Sequence, residues 1–395
     1  MNRKLLIIGG VILICIVLGI WVYLMLYGVP KSSDEIFANL GFGSGPIADT
    51  LPEPEVSTPT IIDTEPAPPE ALRQLTVRPV AGATIIAEEG IYYARYVERG
   101  TGHIYEINLT TQNENRISGT TFTKITDAVF APDGQSVALI SHDVEITETT
   151  IGILNSDRSG EESVTTIPLP NDIENITFSE DSSAVRFTIS DFGGTRGYQQ
   201  PVQNEAERAL LFNIPISSVI MNWARDAETY VSTKPATQLD GYIFGIRDGQ
   251  LERITSGGPG LLALTSEGYI ITTILDAGTP LTRLIERETS TESLLPIIAI
   301  DTKCSFSNTS DSTLWCAEPI SDFDADEQSL WYQGKTTLTD RLWKINLTDQ
   351  TATLRSNFNI ESGRTIDVTN LTHSDAYVLF INRIDETLWV FNDII

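Results

Sequence analysis

The sequence is poor in residues that usually carry cross-links or catalysis. Its 395 residues include only three cysteines and three histidines. So few cysteines exclude a disulfide-rich miniature scaffold, and a chain of this length can bury a sizeable core without one. The histidines, His103, His142 and His373, fall in different repeats near predicted strand ends. We interpret them as solvated loop residues and not as a metal or catalytic cluster.

Basic residues are also scarce. The chain has 26 Lys and Arg against 53 Asp and Glu, for a formal net charge of −27. Such a surface repels phosphate groups, which argues against nucleic acid or an anionic membrane surface as a partner. The charge itself is typical of a surface that resists self-association, and a cationic or calcium-linked partner is the alternative interpretation.

One long apolar run stands at the N-terminus. Residues 5–27 are apolar apart from glycines, Cys15 and aromatics near the end of the run. A helix of this length can cross a bilayer, and Arg3 and Lys4 place residues 1–4 in the cytoplasm. We therefore predict an uncleaved signal anchor whose partner is the lipid bilayer. A cleaved signal peptide is the alternative, although its apolar region is usually shorter.

Residues 28–71 are predicted to form an acidic, proline-rich linker. Proline lacks an N–H and fixes φ, so a run such as Leu51-Pro52-Glu53-Pro54 cannot form a helix or a central strand. Charged, proline-rich segments stay extended and solvated. The linker is therefore a disordered stalk that holds the following domain outside the cytoplasm.

From residue 72 onward one pattern recurs about every 45 residues. A short β-rich run ends in a tight turn and a second apolar run follows, as at Phe130-Ala131-Pro132-Asp133-Gly134. Pro presets φ in such turns, and Asp, Gly and Ser close them at little cost. This period, with four short strands per unit, is the signature of a β-propeller. The residues that follow the turn acid are Gly90, Gly134, Ser182, Ala227, Gly268, Ser312 and Ala376.

The seventh repeat lacks an outermost strand of its own. Leu72-Arg73-Gln74-Leu75-Thr76 closely resembles Leu251-Glu252-Arg253-Ile254-Thr255, which has the place of an outermost strand. We predict that residues 72–78 complete the last blade, which would remove an exposed sheet edge. The domain at 72–395 is thus expected to be all-β, a seven-bladed propeller closed by its N-terminal strand.

The turns Phe130–Gly134 and Phe178-Ser179-Glu180-Asp181 resemble those of TolB-like and WD-repeat-like β-propellers of bacteria. The resemblance covers roughly residues 72–395 and implies the fold alone, because its residues are structural. The layout of the chain, with the segment Trp331–Lys335 before Asp340–Trp343, looks like membrane-anchored propeller proteins of small-genome bacteria.

An insertion at residues 319–339 separates the second and third strands of the sixth repeat. Its alternating acids Asp322, Asp324 and Asp326 are weak calcium candidates, since calcium prefers oxygen ligands. The glycine and the bidentate glutamate of an EF-hand are missing, so a solvated acidic loop is the simpler interpretation. No other cofactor is predicted.

The same insertion offers candidate binding residues in Trp331, Tyr332 and Lys335. Aromatic rings with polar neighbours suit surfaces that bind protein or glycan. Burial of both rings against the seventh blade would also explain them.

Two cysteines flank a predicted hairpin in the sixth repeat. Cys304 and Cys316 could face each other on adjacent strands, within disulfide distance. An oxidising exterior would favour the bond, and two buried free thiols are the alternative.

No catalytic residue can be assigned from the sequence. The Gly-x-Ser-x-Gly elbow of the prolyl-peptidase type is missing. We predict a non-catalytic module that binds a protein or a cell-envelope polymer through one face of the ring. The alternative is a propeller lyase or glycoside hydrolase acting at the central channel, which requires acids or histidine converging at the axis. An apolar or aromatic rim would favour the binding module.

Overall fold

The strands of the residues that the structure describes assemble into seven four-stranded antiparallel sheets and one two-stranded sheet. The computed structural model describes Leu18 and residues 70–143, 146–154, 164–223, 229–247, 249–255, 257–307 and 312–394. The chain divides into two units, Met1–Ala67 and Pro68–Ile395, and all of the sheets belong to the second.

The predicted cytoplasmic end, membrane span and linker lie outside the described residues, apart from Leu18 and residues 70 and 71. Within the described ranges, no helix combines the length and the apolar character that a bilayer crossing requires. The anchor at 5–27 and the linker at 28–71 therefore stay predictions.

Thirty strands, two α-helices and two short 3₁₀ helices, Glu205–Glu207 and Asp301–Lys303, make up the regular structure of residues 70–394 as far as they are described. The helices are α1 (Ala325–Tyr332) and α2 (Phe358–Ser362). The strands are β1 Leu72–Gln74, β2 Val80–Glu88, β3 Ile91–Glu98, β4 Ile104–Asn108, β5 Glu114–Ser118, β6 Ile125–Phe130, β7 Ser136–His142, β8 Thr147–Ile153, β9 Thr165–Pro168, β10 Ile173–Phe178, β11 Ala184–Asp191, β12 Gly194–Pro201, β13 Ala209–Ile214, β14 Val219–Trp223, β15 Thr229–Thr233, β16 Asp240–Gly241, β17 Ile243–Arg247, β18 Gln250–Arg253, β19 Gly258–Pro259, β20 Leu262–Thr265, β21 Tyr269–Asp276, β22 Thr279–Glu286, β23 Thr291–Leu294, β24 Cys304–Phe306, β25 Thr313–Pro319, β26 Asp340–Asn346, β27 Thr351–Asn357, β28 Val368–His373, β29 Tyr377–Asn382 and β30 Thr387–Asn392.

Each four-stranded sheet is one blade of a propeller. Blades one to three are β2–β5, β6–β9 and β10–β13, blade four is β14, β15, β17 and β18, and blades five and six are β20–β23 and β24–β27. Blade seven contains β28, β29 and β30 with β1 at its outer edge. The predicted seven-bladed, all-β architecture is therefore confirmed.

The turns between first and second strands follow the chemistry expected from the repeats. In blade two, Gly134 donates its N–H to the carbonyl of Ala131 at 2.8 Å, and Asp133 accepts the N–H of Gln135 at 2.8 Å. Gly134 has φ of 68°, and a Cβ there would come within 2.6 Å of Cγ2 of Ile86. Only glycine fits this turn without strain.

The ring closes through the N-terminal strand, as predicted. Leu72, Arg73 and Gln74 pair with Phe391, Val390 and Trp389 of β30. The strand is shorter than the predicted range of 72–78, although the N–H of Leu75 still donates to the carbonyl of Leu388 at 2.8 Å. This pairing covers an edge that would otherwise be open.

Apolar side chains fill the spaces between neighbouring blades. Between blades one and two, for example, Val97 and Ile104 pack with Val137 and Leu139, and none of the four is more than 1% exposed. Each sheet is thus covered on both faces, which explains the nearly continuous apolar runs of the inner strands.

Candidate functional site

The first strands of the blades surround the axis of the ring. Neighbouring first strands, such as β2 and β6 or β10 and β14, contact one another. They enclose a cavity of about 680 Å³. Every blade, or the segment leading into it, contributes to the wall, as shown by Ala81, Asp127, Asn175, Trp223, Thr265, Thr302 and Asn370.

Ionisable groups lie at one end of this axial cavity. Asp127 and His142 are 3.5 Å apart, between Oδ2 and Nε2, and each side chain is about half exposed. The other ring nitrogen of His142 lies 2.9 Å from the hydroxyl of Thr147. Glu174 from blade three also lines the cavity and is exposed. Two acids and a histidine therefore converge on the same space.

A second cavity, of about 270 Å³, adjoins the first between blades one, two and seven. Asp127 lines both cavities. Arg99, Arg383 and Glu386 also line the smaller one, and Arg99 pairs with Glu386 at 2.6 Å. Cationic and anionic groups thus alternate around this part of the axis.

The wall of the axial cavity also contains apolar and aromatic surface. Met221, Ile173 and Ile176 line it together with Trp223. The guanidinium of Arg186 lies 5.6 Å from the centroid of the Trp223 ring. The cavity therefore combines the charged groups expected of an enzyme with the aromatic surface expected of a binding module.

The insertion in blade six contains the helix α1, where a solvated loop was predicted. The carboxylate of Asp324 accepts the backbone N–H groups of Asp326 and Glu327 at 3.0 and 2.9 Å, which caps the helix. Helix capping thus explains Asp324, and the acids Asp326 and Glu327 lie in the first turn, where negative charge is favourable. Among the described residues, no group of three or more His, Cys, Asp or Glu could hold a metal ion. The calcium site at Asp322, Asp324 and Asp326 gains no support from this arrangement.

Trp331 fixes the insertion to the ring. Its side chain is 4% exposed and packs with Leu262, Ile300 and Phe323. The indole N–H donates to Asp367 at the start of blade seven, 3.0 Å from Oδ2. The guanidinium of Arg383 lies 4.5 Å from the ring centroid. The predicted binding residue Trp331 therefore has its ring inside the protein.

The other two predicted binding residues are at the surface. Tyr332 is 38% exposed and donates its hydroxyl hydrogen to Asp301 at 3.0 Å. Although part of its ring is exposed, desolvation at the hydroxyl end raises the pKa of Tyr332, and desolvation also raises the pKa of its partner Asp301. Lys335 is exposed and donates to Gln333 at 2.7 Å. Both stay predicted binding residues.

The insertion and the cavities share one face of the ring. Arg383 lines the smaller cavity and also donates to the carbonyl of Trp331 at 2.8 Å. We call the end of the ring that carries α1, Arg383 and the Asp127–His142 pair the insertion face.

The two cysteines of blade six are joined in a disulfide. Cys304 on β24 lies directly opposite Cys316 on β25. Both side chains are buried within the core between blades five and six.

The histidines differ from one another more than predicted. His373 is only 5% exposed, with Nε2 lying 3.0 Å from the carbonyl of Phe306. Burial lowers the pKa of His373. The prediction that this histidine is solvated was wrong, because β28 carries it into the space between blades six and seven, beside Trp315.

Sequence reasoning missed Asp127, Glu174 and Trp223 as cavity residues. Each lies on a first strand, where burial on both faces of the sheet favours a nearly continuous apolar run. A polar residue within such an apolar run is the sequence signal from which Asp127 and Glu174 could have been predicted. Which strands converge, however, follows only from the closed ring.

No family model matches the sequence, and no curated protein matches it. Solved structures do resemble the propeller. An oligogalacturonate lyase from Vibrio parahaemolyticus matches 81% of this chain and 93% of its own, with a TM-score of 0.51 and 11% identity.

The similarity is one of fold. The β-propeller domain of the Trilobed protease from Pyrococcus furiosus matches 79% of this chain and 93% of its own, with a TM-score of 0.48 and 11% identity. TolB from Acinetobacter baumannii matches 69% of this chain and 63% of its own, with a TM-score of 0.43 and 14% identity.

Proposed function

We propose that this protein is a membrane-anchored, extracytoplasmic propeller that binds a protein segment or a cell-envelope polymer at the insertion face, without catalysis. The observation that supports this best is the axial cavity of about 680 Å³, to whose wall every blade, or the segment leading into it, contributes. Concave sites with some apolar lining and a few convergent polar groups are the usual places for ligands.

The proposed anchor and location are supported by the N-terminal sequence. Residues 5–27 form one apolar run preceded by Arg3 and Lys4. With the N-terminus in the cytoplasm, the propeller would lie on the other side of the membrane. The Cys304–Cys316 disulfide is compatible with an oxidising compartment.

The chemistry of the two cavities supports an extended ligand with polar groups. Trp223 supplies an aromatic surface, on which sugar rings or side chains can pack. Arg99 and Arg383 supply hydrogen-bond donors in the adjoining cavity, next to Asp127 and Glu386. A ligand that crosses both cavities would meet donors, acceptors and apolar surface in turn.

Crosslinking in intact cells would test the proposal. A photo-reactive residue in place of exposed Glu174 faces the axial cavity, and one in place of Leu294 lies on the outer strand of blade five, where it is 58% exposed. We expect the cavity position to capture a defined protein or polymer that the outer position does not. Equal capture by both positions would contradict binding at the axis.

A second candidate function is catalysis at the same cavity. It is favoured by the convergence of Asp127, His142 and Glu174, since glycan cleavage commonly uses paired carboxylates. The full-length protein would be incubated with acidic and neutral polysaccharides, beside the Asp127→Asn and Glu174→Gln variants. Cleavage by wild type that both variants lose would establish the enzyme and displace the binding module.

A further inference from the structure

A lysine is completely buried between two carboxylates at the insertion face. Lys303, just before β24, places Nζ 2.5 Å from Oδ2 of Asp340 and 2.5 Å from Oδ1 of Asp367. All three side chains are fully inaccessible to solvent. The ring of Trp331 covers the ammonium, with Nζ 5.0 Å from its centroid. Water is therefore excluded from a site that holds an amine in contact with two acids.

The two acids have different surroundings. Asp367 accepts hydrogen bonds on Oδ2 from the indole of Trp331 at 3.0 Å and from the N–H of Leu338 at 3.1 Å. The guanidinium of Arg383 lies 3.9 Å from the same oxygen. These donors and the nearby cation stabilise a negative charge on Asp367.

Asp340 lacks comparable support. Its Oδ2 accepts the N–H of Val368 at 2.7 Å and contacts Lys303, whereas its buried Oδ1 has no hydrogen-bond partner among the residues that the structure describes. A buried oxygen without a donor is costly for an ionised carboxylate and much less so for a neutral acid. Burial raises the pKa of Asp340 to about 6, because the nearby Lys303 offsets only part of the desolvation. An acid whose neutral form is favoured by burial, an ammonium and a carboxylate thus meet in one dry pocket.

From this geometry we infer that Lys303 and Asp340 condense into an intramolecular isopeptide bond, with Asp367 as the general base. The ammonium of Lys303 first transfers a proton to the carboxylate of Asp367. The neutral amine then attacks Cγ of the protonated Asp340 carboxyl group.

The reaction balances without any other reactant. Nζ of Lys303 gains a bond to Cγ of Asp340, and the bond from Cγ to Oδ1 breaks. The hydroxyl group leaves with the second proton of the amine as one molecule of water. The third proton stays on Nζ as the amide N–H, and Asp367 keeps the first. No atom is oxidised or reduced.

The contacts of the Asp340 carboxyl group favour this direction. Oδ2 of Asp340 already accepts the N–H of Val368, so it is placed to remain as the amide oxygen. Oδ1 is the oxygen free to leave. Condensation also removes two charges from a site where burying them is costly. The folded protein already holds the reacting groups in contact, so the reaction itself loses little further entropy.

The bond would covalently join the segment before β24 to the start of β26, where the insertion ends. Lys303 leads into the first strand of blade six, and Asp340 begins its third strand. The covalent loop would enclose α1 and the Cys304–Cys316 disulfide. It would hold the insertion face rigid even when the disulfide is reduced.

Mass spectrometry of the reduced, denatured full-length protein tests the inference directly. Trypsin cannot cleave after an acylated lysine, so residues 288–335 should stay in one piece, joined to residues 336–341, with one water missing. Fragment spectra should place the link at Lys303 and Asp340. If trypsin instead cleaves after Lys303, and residues 288–303 and 336–341 appear as separate peptides at full mass, Lys303 and Asp340 form only an ion pair. That result would overturn the inference.

Two variants separate the chemistry from the packing. Lys303→Arg keeps the positive charge but is a poor nucleophile, and it should give no linked peptide. Asp367→Asn keeps the shape but removes the base, and the bond should form about a hundredfold more slowly after synthesis. Undiminished linking in Asp367→Asn would contradict the assigned base. A link from Lys303 to Asp367 in wild type would contradict the assigned electrophile.

Discussion

The main-chain N–H of Leu388 donates a 3.0 Å hydrogen bond to the hydroxyl of Thr76. This contact joins the third strand of the last blade to the segment that precedes the first blade. It extends the pairing of β1 with β30, in which Leu72 lies opposite Phe391. Leu72 is 6% exposed and packs in the core that blades six and seven share. The N-terminal strand therefore completes both a sheet and a core.

Removal of residues 72–78 should leave a chain that aggregates or melts at a much lower temperature. The deletion exposes the edge of β30 and opens the core. The milder variant Leu72→Ala should lose about 2–5 kcal/mol of unfolding free energy. Thermal melting and light scattering of the full-length protein would measure both effects. Val77→Ala, at a side chain that is 88% exposed, is the control and should behave as wild type.

The blades could be predicted because their signals are local. A turn such as Ala131–Gly134 depends on its own residues, and the strands around it show their burial in their composition. The closing strand could be predicted as well, since residues 72–76 resemble another outermost strand. The helix α1 also had a local signal, an aspartate followed three residues later by Glu327, which is typical of a helix N-terminus.

The contents of the site could not be predicted in the same way. Asp127 and Glu174 lie far apart in sequence, and only the curvature of the closed ring brings them to one cavity. Lys303 gives no sign in sequence that Asp340 and Asp367 will enclose it. Burial of His373 likewise depends on a contact between two blades.

Asp324→Ala should destabilise the protein by about 1 kcal/mol, because two backbone N–H groups lose their acceptor. Asp322→Ala should have little effect, since Asp322 is exposed and lies outside the helix. Chemical denaturation of the two variants would measure the difference. If the acids bind calcium instead, added calcium would raise the melting temperature of wild type, and both variants would lose that response.

Trp331→Phe should cost about 1–3 kcal/mol of stability, because buried Asp367 loses the indole N–H. The phenyl ring keeps much of the packing, so the loss reports chiefly on the hydrogen bond. Leu330→Ala is the matched control on the same helix, where the side chain is 40% exposed, and it should be nearly neutral. Urea unfolding at neutral pH would compare them. If Trp331→Phe unfolds at the same urea concentration as wild type, the indole hydrogen bond does not stabilise the insertion.

Stability should fall as the pH drops below about 6.5, and His373 should account for part of the loss. Burial lowers the pKa of His373 in the folded protein, so the unfolded chain binds a proton first as the pH falls. The contribution is fully present at pH above the unfolded value and is lost progressively down to the lowered folded value. His373→Gln can still donate to the carbonyl of Phe306 and has no proton to bind. Its unfolding free energy, measured between pH 7 and pH 5 by urea titration, should decline less steeply than that of wild type. If the unfolding free energies of the two proteins decline equally with falling pH, His373 binds its proton equally well in the folded and the unfolded state.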